Sequence, residues 1–170
     1  MRQIITVSLA ATTTLVAAFC SQTARAEDNA AALAKALPEA SVPLHQGFVA
    51  SEREGKPISG KYELEDGALQ LSVYTARDGK FIEVVVDHKS GAIKKAETIT
   101  DADDLKHAKD QNEAMAVAKV SLSSATMAAA SANTGYIAVQ AIPTIKNGHP
   151  VAEIKLMKSE ATKEVEQKLD

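Results

Sequence analysis

Residues 69–93 read LQLSVYTARDGKFIEVVVDHKSGAI. Leu69, Leu71 and Val73 alternate with polar neighbours, which is the period of a strand with one buried side. Arg77-Asp78-Gly79-Lys80 follows as a hairpin turn, because Asp-Gly tolerates the positive φ angles that a tight two-residue connection demands. Phe81–Asp87 (FIEVVVD) is the most β-prone run in the chain, with Ile82, Val84 and Val86 on one side and Phe81, Glu83 and Val85 on the other. His88-Lys89-Ser90-Gly91 turns the chain again before a strand over residues 92–98. Upstream, Lys61–Glu65 (KYELE), ended by Asp66-Gly67, adds another strand. These residues predict an antiparallel meander with one packed face and one partly wet face.

Helical patterns flank the meander. Ser41 is the expected N-cap of a helix with Pro43 in its first turn, Leu44, Phe48 and Val49 on its apolar side, and Gly55 at its end. Gly47 interrupts that stretch. Residues 27–40, Ala-rich and charged before Leu37-Pro38, form an arm or a short helix. Downstream, Asp101, Asp103 and Asp104 load a helix start with the negative charge that its dipole favours. Ala108, Gln111, Met115, Ala118 and Leu122 follow at spacings of three and four, giving one stripe for a core. Ser121 or Ser123 caps a second, Ala-rich helix that Asn133-Thr134-Gly135 closes. Strands resume over 136–146 and 150–157, with Asn147-Gly148 as the turn. The run 162–169 places Val165, Gln167 and Leu169 on one side and is read as a strand, although its Glu and Lys content also suits a helix.

The expected fold is therefore α+β: two tandem units, each a helix followed by an antiparallel sheet, over residues 41–98 and 121–170, with a connecting helix over 99–120.

The stretch 69–93 resembles the PepSY domain family: an alternating strand, a D-G hairpin (Asp78-Gly79), then an apolar strand ending in Val86-Asp87-His88-Lys89-Ser90-Gly91. Residues 125–135 are similar to the family's Ala-rich helix, and Gly148-His149-Pro150-Val151 to its hairpin. Leu169-Asp170 stands where the closing Val-Asp would be. Asp87 and Gly91 are read as turn formers, because Asp accepts nearby backbone N–H groups and Gly permits positive φ. The resemblance implies an exported, non-enzymatic module. Family members occur in the propeptides of thermolysin-like metalloproteases and in small secreted proteins, and have been proposed to restrain peptidases.

The amino terminus carries an address. Met1-Arg2, the uncharged apolar run from Ile4 to Phe19 and Ala24-Arg25-Ala26 make a secretory signal, cleaved after Ala26, with residues 1–26 discarded. The apolar run is shorter than the ~20 residues of a membrane span. Cys20 follows Phe19 rather than a small residue, so it belongs to the signal and not to an acylation site. The expected location is periplasmic or secreted, and the exported 144 residues contain no cysteine, so neither disulfides nor thiolate chemistry is open to them.

The 170 residues are 45% hydrophobic and 24% charged with 8 Gly and 5 Pro, which excludes collagen-like, disordered and disulfide-stapled classes. The formal charge of −3 becomes −5 once Arg2 and Arg25 leave with the signal, and that argues against a nucleic-acid partner. His45, His88, His107 and His149 have no chelate spacing, so no metal site is assigned. Asp101-x-Asp103-Asp104 opens like a calcium loop, but Lys106 and Asn112 stand where Gly and Glu are needed. No serine lies in a nucleophile motif, Glu63, Glu65 and Asp66 read as a wet strand end, and no phosphate-binding glycine loop occurs.

No catalytic, cofactor-binding or metal residue is therefore assigned, and no cofactor is expected. The expected function is non-catalytic binding of a protein or peptide, possible targets including an exported peptidase; the alternative is a periplasmic small-molecule or metal-binding module. Lys155, Lys158, Glu160, Lys163, Glu164, Glu166 and Lys168 then form a charged rim. Exposed edge strands can take an added peptide strand, while Pro143 and Pro150 are expected to blunt edges.

Overall fold

A computed structural model describes residues 29–170. The expected signal segment 1–26 and the first two residues of the expected arm lie outside the described residues. A helix α1 (29–36) and a 3-10 turn (Leu37–Glu39) lead into α2 (Leu44–Ser51). Four strands follow, β1 (Lys56–Glu65), β2 (Ala68–Arg77), β3 (Lys80–Val86) and β4 (Ile93–Thr98). Helices α3 (Ala102–Val117) and α4 (Leu122–Ala132) then precede β5 (Ile137–Lys146), β6 (His149–Lys158) and β7 (Ala161–Lys168). The run 162–169 is thus mostly strand, as read. Among the described residues no helix is long and apolar enough to cross a membrane.

The chain is α+β, but the two tandem units expected over 41–98 and 121–170 are overturned. All seven strands form one antiparallel sheet in the order β4-β3-β2-β1-β5-β6-β7. The seam is the pairing of β1 with β5, where only Gly60 faces Ala141 and Lys61 faces Gln140. Bulges bound this short ladder on both sides. Ile58 is the extra residue of β1 against β2, and Val139 the extra residue of β5 against β6. A bulge bends and twists its strand, so β1 and β5 diverge on either side of their two pairs. Both bulged side chains are buried. A single hydrophobic cluster runs from Leu37 through Phe48, Leu71, Val84 and Leu122 to Ile154 and Leu169, so both halves share one core. The Ser123 hydroxyl donates to the His45 carbonyl at 3.0 Å, tying α4 to α2 above the seam.

The two faces are dressed differently, because neighbouring residues of a strand point to opposite sides. At Gly60 a Cβ would lie 2.7 Å from a ring carbon of Phe48, so this glycine lets α2 sit close on the sheet. Next to it, the Ser59 hydroxyl donates to Oε1 of Gln111 at 2.6 Å, so α3 lies across the other face. Gly47, an interruption in the sequence pattern, makes the reciprocal approach, its would-be Cβ lying 2.8 Å from the Leu71 side chain.

Local signals explain most elements. Asp66-Gly67, Asp78-Gly79 and Asn147-Gly148 all have positive φ, which fits the tight hairpins they make. Asp101 caps α3 by accepting from the N–H groups of Asp103 and Asp104, and Ser121 caps α4 by accepting from that of Ser124. Ser41 is not a cap: α2 starts at Leu44 after Pro43, and the N–H groups of Ser41 and Val42 both donate to the His88 carbonyl. The stripe drawn over residues 108–122 spans two helices, since α3 stops at Val117 and Leu122 opens α4. Pro143 and Pro150 do not protect edges, because β5 and β6 are interior strands. The edges are β4 and β7, and they carry Lys and Glu instead.

Candidate interaction surface

The motif that carried the resemblance is a closed turn. Asp87 Oδ1 accepts from the N–H of Lys89 at 3.0 Å and of Ser90 at 2.7 Å, and from the Ser90 hydroxyl at 3.0 Å. Asp87 Oδ2 pairs with Lys94 Nζ at 2.7 Å, and Gly91, at φ 78°, donates its N–H to the Asp87 carbonyl. Lys94 first, then Ser90 and Lys89, hold the Asp87 carboxyl far below its usual range. Its ionised form is the one the fold favours. Stability from this turn is therefore present above the ordinary value of 3.8 and is lost as pH falls below it toward the folded value. Asp87→Asn keeps an acceptor for the backbone donors but loses the charge on Lys94. Its melting temperature is expected to fall below that of the parent at neutral pH, and the two curves to converge on acidification below about pH 4.

The four histidines stay apart. His45 lies on α2, His107 is exposed on α3, and His149 at the start of β6 places Nδ1 2.7 Å from an Asp170 oxygen. His88 follows β3 with 8% of its surface exposed and no hydrogen-bond partner on Nδ1. Among the described residues no group of three His, Cys, Asp or Glu is placed to hold a metal. Glu63 pairs with Lys61 at 2.6 Å, Glu65 is exposed, and Asp66 occupies a turn at φ 50°, so these three carboxylates do not converge.

A cleft of about 320 Å³ that the sequence did not announce lies between α3 and the sheet, with Lys61, Tyr74, Gln140, Asp104, His107 and Gln111 on its walls. Lys61 Nζ sits 6.0 Å from the centre of the Tyr74 ring. Burial works against the Lys61 charge, but Glu63 and Tyr74 more than offset it, so its pKa is raised. Burial pushes the Tyr74 hydroxyl up to about 12. Gln111, a member of the expected core stripe, instead lines this cleft. Gln140 reaches this face solely through the β1–β5 pairing.

The two sheet edges, β4 and β7, are exposed along most of their length. On β7, Thr162, Lys163, Glu164, Glu166 and Lys168 belong to the expected charged rim or adjoin it. Lys163 Nζ donates to Asn133 at 2.6 Å, while Lys146 pairs with Glu153 at 2.7 Å and with Glu166. These two carboxylates, Glu153 first, push the Lys146 pKa up to about 12. The Leu169 N–H donates to the Pro150 carbonyl, and the β6–β7 register is unbroken. In an antiparallel ladder the residues that bond the neighbour alternate with residues that bond outward. The backbone groups of Thr162, Glu164, Glu166 and Lys168 therefore face away from the sheet. No protein-family model, curated protein or solved structure matches this chain.

Proposed function

We propose that this chain is an exported, non-catalytic binding protein that takes an extended segment of a protein partner along β7, the partner being an exported peptidase whose activity it restrains. The observation that carries the reading is the outward-facing, solvent-exposed backbone rim of Thr162, Glu164, Glu166 and Lys168. Such a rim offers main-chain hydrogen bonds to an added strand, with side chains setting the choice of partner. The PepSY resemblance and the signal-like residues 1–26, from which a periplasmic location is inferred, supply the setting.

The protein is to be incubated with the exported proteases of its host, with capture and slowed cleavage as the readouts. Glu164→Pro serves as the matched variant, because it removes an N–H that β6 does not use and leaves the β6–β7 ladder intact. Capture by the parent together with loss of capture by a normally melting Glu164→Pro protein is expected. Absence of any capture by the parent overturns the function, and capture that survives Glu164→Pro overturns strand addition at β7.

The cleft beneath α3 favours a second reading, a small-molecule-binding module. A thermal shift with small polar ligands or divalent ions, absent from the first reading, is what it requires.

A further inference from the structure

The other edge, β4, carries a pattern that suits one specific partner, a second copy of this chain. The Ile99 N–H donates to the Phe81 carbonyl at 2.9 Å, and the register places Glu97 opposite Glu83 and Lys95 opposite Val85. By the same alternation as on β7, residues 95, 97 and 99 bond toward β3, while Ala96 and Thr98 turn their N–H and C=O groups outward. Lys94 is the extra residue at the bulge beside Val86. Apart from half-buried Ile93, every residue of the strand is exposed.

We propose that two copies pair antiparallel through β4 around a twofold axis at Ala96, joining two seven-stranded sheets edge to edge. In that register Ala96 faces its own copy, Lys94 faces Thr98 twice, and Lys95 faces Glu97 twice. Lys95 and Glu97 lie on one face of the strand and pair with each other at 2.7 Å in the single chain. The proposed pairing exchanges the two contacts within the separate copies for two equivalent contacts between them. Shifting the axis by one residue sets Lys95 against Lys95 or Glu97 against Glu97, and directly opposed like charges destabilise a strand pair. Of the registers centred on Lys95, Ala96 and Glu97, the Ala96 register alone matches the outward backbone groups without opposing like charges.

The β7 edge makes the contrast. Registers centred on Glu164, Val165 or Glu166 oppose glutamates across the axis in every case, as Glu164 with Glu164, Glu164 with Glu166, or Glu166 with Glu166. Self-pairing about the middle of β7 therefore opposes glutamates, whereas self-pairing about the middle of β4 does not. The inference does not depend on the proposed binding function.

Analytical ultracentrifugation of the purified protein over a concentration series tests it. The parent is expected to show a monomer–dimer equilibrium that weakens with added salt. Lys95→Glu, an exposed substitution that leaves the melting curve in place, is expected to weaken the dimer about tenfold or more. The double variant Lys95→Glu with Glu97→Lys restores complementary pairs in the same register and is expected to recover parent-like dimerisation. A parent that stays monomeric throughout, a Lys95→Glu protein that dimerises as well as the parent, or a double variant that fails to recover overturns the proposal.

Discussion

Val84→Asp is expected to abolish cooperative folding throughout residues 29–170, not only in the segment that contains it. Val84 is fully buried on β3, between Val73 of β2 and Ala96 of β4. A carboxylate placed there gains no cation and loses its water, and such a buried, unpaired charge costs several kcal/mol. Against a total stability of roughly 5–15 kcal/mol for an ordinary domain, that cost is enough to leave the variant unfolded or nearly so. The reach of the effect follows from the sheet. Val84 belongs to the same hydrophobic cluster as Ile154 and Leu156, so loss of the first half strips the cover from the second. Hydrogen exchange is to be followed on peptides from β5 and β6. Their protection should vanish together with that of β2 and β3. Persistent protection in β5 and β6 would mean two independently folding halves. Val84→Ala, which leaves a cavity without a charge, should lower stability by about 2 kcal/mol with a single transition preserved.

That prediction differs from what two separate units would give, and the difference lies in how little of the seam is written in local pattern. The hairpins were legible because Asp78-Gly79 and Asn147-Gly148 meet a backbone requirement within a few residues of themselves. The alternation of Leu69, Leu71 and Val73 likewise reports a buried face without reference to the rest of the chain. The first residues of β1 carry no such mark. Pro57, Ser59 and Gly60 disfavour a strand locally, yet Gly60 is what lets Phe48 of α2 rest on the sheet, and Ser59 bonds α3. The β1–β5 ladder has only two residue pairs, too short to impose a hydrophobic period on either strand. Pro143 illustrates the consequence. It reads as an edge residue, but it sits within β5 beyond the end of that ladder, where β1 asks no N–H of it. Strand order also decides which strands are edges. The candidate surfaces on β4 and β7 therefore became visible only once the sheet was assembled, although their Lys and Glu residues had marked the second of them as a rim.

The second large effect is expected at Leu169, where backbone and side chain act together. Its side chain is fully buried, so Leu169→Ala should cost about 2–5 kcal/mol in urea unfolding. Its backbone closes the structure at a place that no side-chain truncation reaches. The N–H donates to the Pro150 carbonyl, and the carbonyl accepts from Lys119 at 2.6 Å and Val120 at 2.9 Å, immediately before the Ser121 cap of α4. The first half uses the same device, with the His88 carbonyl accepting from Ser41 and Val42 just ahead of α2. In each case the end of a strand fixes the segment that leads into a helix, and so fixes how that helix lies on the sheet. A chain stopped after Lys168 loses the packing and all three backbone bonds. It is expected to be destabilised more than Leu169→Ala, by about 1 kcal/mol or more for the hydrogen bonds. Hydrogen exchange should rise first at Lys119 and Val120. Equal stabilities for the two variants would show that packing alone holds the carboxy terminus, and that α4 is positioned by its contacts with α2 rather than by the strand that ends at Leu169.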